Sequence, residues 1–376
     1  MKNETFKIFD RIPLEKKREI LEIPPMVDQL VRREVESFHG LSPYYIQDNF
    51  KSGPSEIICR FQGNKMANLT NLEGFQKSKL INVRCTAIAH FMAELYNKYS
   101  AIMEDMDVIV PFSFSDMSTA PRQRIPSLTF CKSPNSNNIL IPSVNNLVGY
   151  AELEHVAMYD YPLLEKRDEM CFVGSFTNVE WNGKGMEHNQ RLQIAALAAE
   201  HPQLYSKLIA PKDFGESFKE VHAKAIELFP ALADPEIFTT QYDNVEIKDQ
   251  LHRKYQICVD GHVCAWARLP WQLGSNSVPI KIRNPDFAFK EWYYPLLDFN
   301  KHCLEINLED LDEVFEYLVH SPDEQLAIAG RGKTFVEEYI TPDLGQRILL
   351  WTILLLSEQQ QLFLPELPDQ TPVPSE

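Results

Sequence analysis

The segment His252–Ile282, HRKYQICVDGHVCAWARLPWQLGSNSVPIKI, carries the strongest fold signal in the chain. Its pattern predicts a strand (YQICVDG), a tight turn, a short helix (WARLPWQLG) and a second strand (SVPIKI). Two apolar strands joined through a helix are typical of a parallel sheet with crossover connections. Arg268 lies among the apolar residues of this helix, and a buried cation needs either an acidic partner or an anionic ligand.

The same alternation of short strands and helices extends on both sides of this segment. Before it, MCFVGSF predicts a strand and NQRLQIAALAAEH predicts a helix. After it, HCLEI predicts a strand and DLDEVFEYLV a helix. Two longer helices are predicted at about 322–339 and 344–362, and the Pro-rich tail 363–376 is predicted to be disordered.

Length and charge narrow the classes of function. A chain of 376 residues suggests two domains, since domains usually span about 100–200 residues. The net charge of −16 argues against a general nucleic-acid binder, which needs a basic surface. The longest apolar stretch, Ile348–Leu356, is far shorter than the ~20 residues that span a bilayer.

Cysteine usage and the first residues point to the cytosol. The seven cysteines are scattered and odd in number, which favours reduced, buried thiols. The stretch MKNETFKIFDRIPLEKKREI lacks the apolar core of a secretory signal. We therefore expect a cytoplasmic protein.

Glycines and arginines follow the two central predicted strands. Gly174 and Ser175 end the strand MCFVGSF, and Gly261 follows YQICVD. Ligands of parallel sheets bind at the carboxyl ends of the strands, where a glycine lets them approach the backbone. The helices that begin after these strands contain Arg191 and Arg268, and two arginines so placed can clamp a diphosphate. The alternative is that each arginine pairs with a surface carboxylate.

Two carboxylate patterns suggest other roles. Asp105 and Asp107 form a D-x-D, a pattern that metal-dependent nucleotide-sugar enzymes use to hold Mg²⁺ or Mn²⁺ against a diphosphate, but here it precedes its apolar strand. Asp116 ends the apolar run and is either a general base or an Asx-turn or helix-cap residue. The sequence contains no P-loop, G-x-G-x-x-G, H-E-x-x-H or G-x-S-x-G motif.

Several stretches, in order, resemble glycosyltransferase family 90, which includes fungal capsule-associated glycosyltransferases, Rumi-like protein O-glucosyltransferases and bacterial lipopolysaccharide-type relatives. They are DVIVPFSFSD, FVGSF followed by NQR, HRKYQICVDGHVCAWAR, EWYYPLL, KHCLEINLEDLDEV and AIAGRGKTFVEEYI, and they cover about residues 100–340. The resemblance implies an α/β fold of two Rossmann-like domains that face a cleft, the GT-B type, with the C-terminal helices packing back.

The resemblance also implies a role for each part of the chain. Residues 1–165 are expected to form the N-terminal domain, with the acceptor surface and the catalytic base. Residues 166–335 are expected to bind the nucleotide sugar, and the helix at 336–362 to cross back to the N-terminal domain ahead of the tail. The implied reaction is an inverting, metal-independent transfer of a sugar, glucose or xylose foremost, from a UDP-sugar to an acceptor hydroxyl.

Site residues follow from the resemblance by position. Asp116 resembles the catalytic base, Arg191 and Arg268 the diphosphate-binding arginines, and the turn at Gly174 and Ser175 a donor contact. The stretch before Arg268 resembles the loop that lines the nucleotide, and it comprises Val263, Cys264, Ala265, Trp266 and Ala267. No metal ligand and no cofactor are expected, because the UDP-sugar is a co-substrate.

Departures from the family pattern leave alternatives open. Val173 stands where relatives usually have an arginine before the Gly-Ser turn, and the segment between Ser175 and Arg191 is longer than usual. The lack of a secretory signal and retention tail suggests a bacterial or viral member. The acceptor is a protein Ser/Thr, a glycan or a lipid-linked saccharide, with no nucleic acid and at most peripheral membrane contact. The competing hypotheses are a metal-dependent nucleotide-sugar enzyme that uses Asp105 and Asp107, and a non-catalytic binding protein with the same fold.

Overall fold

A computed structural model describes residues 11–50, 55–63, 65–70, 79–115, 125–176, 186–210, 216–239, 245–261, 263–284 and 288–361. The chain forms two compact units, and its C-terminal segment returns to the first of them. The first unit comprises Met1–Leu147 and Asp343–Glu376, and the second comprises Val148–Pro342. The structure does not assign acceptor or donor roles to the units, so the roles given to 1–165 and 166–335 stay predictions.

Helices and strands alternate along most of the described chain. The helices are α1 (Leu14–Ile20), α2 (Pro25–Val35), α3 (Pro43–Asn49), α4 (Lys79–Met103), α5 (Val144–Val148), α6 (Ala151–Tyr159), α7 (Gln190–Leu197), α8 (Glu216–Leu228), α9 (Ile247–Gln250), α10 (Arg268–Gly274), α11 (Leu311–Val319), α12 (Pro322–Tyr339) and α13 (Pro342–Gln361). The strands are β1 (Glu56–Gln62), β2 (Lys65–Asn68), β3 (Asp107–Ser113), β4 (Leu128–Thr129), β5 (Ile139–Leu140), β6 (Arg167–Ser175), β7 (Leu204–Ile209), β8 (Phe238–Thr239), β9 (Arg253–Cys258), β10 (Val278–Ile282) and β11 (Leu304–Ile306).

The first unit is built on a mixed sheet with the described strand order β2-β1-β3-β4-β5. Strand β1 pairs antiparallel with both β2 and β3, whereas β3, β4 and β5 run parallel. Helix α13 belongs to this unit: the Trp351 indole donates to Asp28 at 3.0 Å, and the Gln360 amide bonds both the N–H and the C=O of Ile109. The prediction that the C-terminal helix packs back is therefore confirmed.

The second unit is built on a parallel sheet with the described order β11-β10-β9-β6-β7-β8. All five residues of β10 are buried, as are five of the six residues of β9. Such near-continuous burial is expected of strands covered on both faces by crossover helices. Helices α7 and α10 provide two of these crossovers, and they pack against β7 and β10 respectively. The predicted α/β class is confirmed.

The strand order reverses between β6 and β9. From β6 the chain moves outward through β7 to β8, and it then returns to the other side of β6 and continues through β9, β10 and β11. Ligands of open parallel sheets bind outside the carboxyl ends of the strands at such a reversal. The crevice at the ends of β6 and β9 is therefore the place where the fold favours a ligand.

Several predicted elements match the structure closely, and one predicted segment lies outside the described residues. The helix predicted at 322–339 is α12, and the strand predicted from YQICVDG is β9, which ends two residues before Asp260. The predicted disordered tail, 363–376, falls outside the described residues. Within the described part of the chain, no helix combines the length and apolar character needed to cross a membrane.

Candidate functional site

Arg191 ties together the two strand ends at the reversal of the sheet. It lies in the first turn of α7, whose N-cap Asn189 accepts from the backbone N–H groups of Arg191 and Leu192. Its Nη1 donates to the carbonyl of Ser175 at 2.9 Å, at the end of β6. Its Nε and Nη2 donate to the carbonyls of Asp260 and Val259, at 3.0 and 3.2 Å, just after β9. Its guanidinium therefore links the ends of β6 and β9, where the strand order reverses.

Arg268 is the first residue of α10 and reaches the same carbonyl as Arg191. Its Nη1 donates to Val259 at 3.3 Å, and its guanidinium carbon lies 5.4 Å from the centre of the Phe172 ring. The side chain remains partly exposed. Across the described residues no carboxylate pairs with this guanidinium. Of the two partners that the sequence allows for Arg268, the structure therefore favours an anionic ligand over an acidic residue.

The electrostatics of the site favour an anionic ligand. Burial and the nearby charge of Arg268 lower the pKa of Arg191 to about 9. Burial also lowers the pKa of Arg268 from its usual value. Both shifts mean that the charged forms are unfavourable without a counter-charge. An anion with several oxygens, such as a diphosphate, would supply that charge and accept from both forks of donors.

Gly174 allows Arg268 and β6 to approach each other closely. A Cβ at this position would lie 2.7 Å from the Phe172 ring and 3.2 Å from Nη2 of Arg268. Phe172 is fully buried, so its ring has little room to move. The glycine predicted as a donor contact therefore lies beside Arg268. The adjoining Ser175 is exposed at the strand end.

The loop between β9 and α10 contains the five residues predicted to line the nucleotide. Val263 and Cys264 are buried, whereas Ala265, Trp266 and Ala267 are partly exposed. The Arg268 N–H donates to the Ala265 carbonyl at 2.7 Å, and Gly261 donates to Val263 at 2.9 Å. Trp266 has φ of +30°, a left-handed conformation that is uncommon for a bulky residue. A strained backbone beside a ligand crevice is a frequent feature of functional sites.

Asp260 and Lys281 belong to the site but were not among the predicted residues. Asp260 follows β9, and its carboxylate accepts from the Ala265 N–H at 3.1 Å and from Lys281 Nζ at 2.8 Å. Burial opposes the charge of Lys281, but the attraction of Asp260 prevails and raises its pKa. A lysine inside the apolar strand VPIKI and an aspartate directly after a buried strand were the available sequence signals.

Two other predicted positions have different outcomes. Asp116, the predicted base, lies outside the described residues, so its role stays a prediction. Val173, the departure from the family pattern, is buried within β6 and pairs in register with Lys207 of β7. Val173, which directly precedes Gly174, is therefore part of the core around the sheet.

The D-x-D carboxylates are occupied by basic side chains. Asp105 accepts from Arg11 at 2.8 Å and from Lys17 at 2.5 Å. Asp107 accepts from both Nε and Nη2 of Arg60, at 2.9 and 2.7 Å. Metal ligands of this kind need free carboxylate oxygens directed at one point. The arrangement therefore does not favour a magnesium or manganese site at this pair, and the described residues contain no other cluster suited to a metal.

Comparison with known families identifies the family to which the chain belongs. The family model described as "Glycosyl transferase family 90" matches residues 74–364. This range includes Asp116, both arginines, the loop before Arg268 and the Asp260–Lys281 pair. No curated protein matches the chain.

Two solved structures illustrate what the fold is similar to. Anabaena Alr3699/HepE in complex with UDP-glucose has a TM-score of 0.34 and 12% identity, covering 58% of this chain and 56% of its own. The C-terminal domain of the group 1 family glycosyl transferase LpcC from Francisella tularensis has a TM-score of 0.30 and 12% identity, covering 51% of this chain and 94% of its own. The chain thus spans little more than half the length of HepE, and TM-scores this low support no inference from either structure.

Proposed function

The chain belongs to glycosyl transferase family 90, and we propose that it transfers a sugar from a UDP-sugar to an acceptor hydroxyl. The observation that carries the donor part of the proposal is the pair Arg191 and Arg268. Both donate to the Val259 carbonyl at the sheet reversal, and among the described residues Arg268 has no carboxylate partner. Two guanidinium groups at this strand edge, that of the buried Arg191 and that of the partly exposed Arg268, suit the diphosphate of a nucleotide sugar.

The proposed reaction inverts the anomeric centre and needs no metal. The acceptor oxygen attacks the anomeric carbon and gives its proton to the carboxylate of Asp116. The bond between the anomeric carbon and the diphosphate oxygen breaks, and its electron pair leaves with UDP. Negative charge therefore grows on the diphosphate, where the fixed donors of Arg191 and Arg268 stabilise it.

The loop Val263–Ala267 is proposed to line the nucleotide, and Gly174 and Ser175 to contact the donor near its diphosphate. Support comes from their placement at the carboxyl ends of β9 and β6, beside both arginines. Glucose and xylose are the proposed sugars. The proposed acceptor is a protein Ser/Thr, a glycan or a lipid-linked saccharide.

The test is hydrolysis and transfer with a panel of UDP-sugars, followed by NMR of the anomeric proton. We expect one donor to turn over in the presence of a chelator and to give a product of inverted configuration. Asp116→Asn should abolish turnover while UDP affinity changes by less than about threefold, because a base acts on the acceptor and not on the donor. Arg191→Ala and Arg268→Ala should each weaken UDP binding by about 100-fold.

Each alternative predicts a distinct result. Turnover that stops with chelator and with Asp105→Asn would favour a metal-dependent enzyme. If UDP bound, no sugar turned over and Asp116→Asn did not change UDP affinity, the result would favour a non-catalytic binding protein. The Val173 departure from the family pattern would then accompany the loss of activity. A matched control is Lys254→Met, since Lys254 is a buried lysine of the same sheet that pairs with Asp168 at 2.7 Å, at the start of β9.

A further inference from the structure

A groove in the second unit lies between three helical segments. They are α7, the turn Pro230–Ala233 that follows α8, and the turn Leu308–Asp310 that leads into α11. The groove has a volume of about 650 Å³, and its described lining residues differ from those of the arginine site. Binding clefts of proteins have volumes of about 300–1,000 Å³. The groove is therefore large enough to receive several side chains of a partner.

Most of the lining of this groove is apolar. The main apolar residues of the three segments are Ala196, Leu197, Phe229, Leu308 and Leu311. Leu311 is buried and belongs to the core around the parallel sheet, whereas Leu228, at the end of α8, lines the groove with 47% of its surface exposed. Apolar surface that is left open and bordered by polar residues is typical of a site for another protein.

Within the described lining, every charged residue is acidic. The carboxylates belong to Glu200, Glu309 and Asp312. Asp312 lies 3.5 Å from a ring nitrogen of His201, whereas neither Glu200 nor Glu309 forms an ion pair with another described residue. Both glutamates are exposed. Carboxylates that no basic side chain offsets favour a cationic partner and disfavour an anionic one.

We propose that this groove docks a basic amphipathic segment of a partner protein. Apolar side chains on one face of the segment would fill the groove, and lysine or arginine side chains beside that face would pair with Glu200 and Glu309. An amphipathic helix has this arrangement, because residues at i, i+3, i+4 and i+7 share one face and charged residues flank it. A second copy of this chain suits the groove less well, since its net charge of −16 is repelled by the same carboxylates.

The inference goes beyond the proposed sugar transfer and does not depend on it. The groove and the arginine site use different residues, and peptide binding is measured without UDP. A failure of UDP binding would therefore overturn the proposed function alone, and a failure of peptide binding would overturn the docking proposal alone.

The experiment uses the full chain and a labelled helical peptide, with binding followed by fluorescence anisotropy. The peptide has leucines at i, i+3, i+4 and i+7, and lysines and alanines elsewhere. We expect a Kd of about 10–100 μM, which should rise about fivefold or more as the salt concentration is raised from about 50 to 500 mM. A peptide with serines in place of the leucines, and one with glutamates in place of the lysines, should each bind at least about tenfold more weakly.

Two variants of the protein test the two halves of the groove separately. Leu228→Lys removes an apolar contact and adds a cation, and the double variant Glu200→Lys, Glu309→Lys reverses the charge of the border. Each should weaken the leucine–lysine peptide by about tenfold or more. All three side chains are exposed, so melting curves should resemble those of the wild type, and the charge reversal decides the question even where Leu228→Lys does not fold.

Matched controls separate docking from a general attraction to an acidic protein. Leu164→Lys changes a leucine that is 66% exposed and does not line the groove. The double variant Glu152→Lys, Glu154→Lys on α6 changes the net charge by the same amount as the charge reversal at the groove. Both controls should keep the peptide affinity within about twofold of the wild type.

Four results would overturn the proposal. The controls could weaken the peptide as much as the groove variants do, which would show attraction by net charge alone. The serine peptide could bind as well as the leucine peptide, which would show that the apolar groove takes no part. The leucine–lysine peptide could fail to bind at up to about 1 mM. Analytical ultracentrifugation could show a dimer that Leu228→Lys converts to a monomer, which would assign the groove to a second copy of the chain.

Discussion

In the parallel sheet of the second unit, basic side chains have different partners at the two ends of the strands. At the amino edge, where the strands begin, basic side chains each meet a carboxylate of their own. These pairs are Lys166 with Asp160, Lys254 with Asp168 at 2.7 Å, and Arg253 with Glu169 at 3.1 Å. At the carboxyl edge, where the strands end, Lys281 pairs with Asp260 at 2.8 Å, and the negative charge of this one carboxylate also acts on Arg191 and Arg268.

Under the proposed function, this difference separates charges that hold the fold from charges that bind the donor. A buried ion needs a partner, and the amino edge supplies one within the protein. At the carboxyl edge, the partners of Arg268 within the described part of the chain are a backbone carbonyl and an aromatic ring, which is costly for a charged group in the free protein. Strongly perturbed groups in a crevice are typical of functional sites, where the ligand completes the charge balance.

Breaking a pair at the amino edge should cost stability and leave binding intact. Lys166 is buried, and its ammonium bonds Asp160 and also Ser277 at 2.7 Å. Lys166→Met leaves Asp160 as an uncompensated buried charge, so we expect the free energy of unfolding to fall by about 3–5 kcal/mol. Urea titration measures this loss, and calorimetry on the folded protein should show UDP affinity within about twofold of the wild type.

The double variant Lys166→Met, Asp160→Asn is the control, because removing both charges should recover part of the lost stability. A loss below about 1 kcal/mol for the single variant would contradict the view that this pair holds the fold. A tenfold change in UDP affinity would show instead that the two edges are coupled.

Removing a cation at the carboxyl edge should do the reverse. Arg268→Gln can still donate to the Val259 carbonyl, but it removes a charge that forms no direct pair with a described carboxylate. We expect UDP affinity to fall by about 100-fold, and the free protein to keep its stability or gain about 1 kcal/mol, as ligand-site charges often cost stability. Calorimetry with UDP and thermal melting without it measure the two effects.

The matched control is Arg253→Gln at the amino edge, where Arg253 pairs with Glu169. It should keep UDP affinity and lose about 1 kcal/mol of stability. If Arg268→Gln destabilised the free protein as much as Lys166→Met does, Arg268 would be a structural cation and the comparison between the edges would not hold.

The carboxyl edge could be predicted in part from the sequence. Apolar runs such as YQICV and SVPIKI identify strands covered on both faces, and the glycines and arginines after them mark the edge where ligands bind. Both arginines were predicted, and the structure brings them to one carbonyl. The role of Asp260 was not predicted, since its partner Lys281 is 21 residues away and meets it only through the pairing of β9 with β10.

The first unit was harder to predict because its pairings are not local. Strand β1 is absent from the sequence-based prediction, although it pairs along its whole length with β3, with Cys59 opposite Val110. Strands β4 and β5 have two residues each and show no periodicity. The role of the D-x-D motif could not be read from the sequence for the same reason. The basic partners of Asp105 and Asp107 are Arg11, Lys17 and Arg60, which are far away in sequence.

A smaller effect is expected from adding one methyl group at the carboxyl edge. Gly174→Ala places a Cβ 2.7 Å from the buried Phe172 ring, on which the Arg268 guanidinium lies. We expect a loss of about 1–2 kcal/mol in the free energy of unfolding, since overpacking must displace the ring. UDP affinity should fall about three- to tenfold, because Arg268 moves with the ring.

Gly330→Ala is the control, as a Cβ at that position in α12 meets nothing within 4 Å. It should stabilise the protein by up to about 1 kcal/mol, because alanine favours a helix more than glycine does. Urea titration and calorimetry compare the two variants. Equal effects of both on UDP affinity would show that the contact between Gly174, Phe172 and Arg268 does not matter for binding.

The smallest effect concerns two buried thiols of the sheet, which report the local excess of positive charge. Burial raises the pKa of Cys171 to about 12 and that of Cys258 to about 11; Arg253 and Arg268 act against burial at Cys171, whereas Lys281 and two arginines do so at Cys258. Both thiols are therefore protonated at pH 8 and should resist alkylation, whereas the half-buried Cys85 should react first.

As the pH rises from 8 to 10, the thiolate fraction grows more at Cys258 than at Cys171, so labelling should increase first at Cys258. Iodoacetamide labelling followed by mass spectrometry measures the order, and Lys281→Met should slow Cys258 but not Cys171, since Lys281 acts on the pKa of Cys258 and not on that of Cys171. Equal labelling of Cys171 and Cys258 at both pH values, with no effect of Lys281→Met, would mean that the cations of the carboxyl edge do not set the local potential.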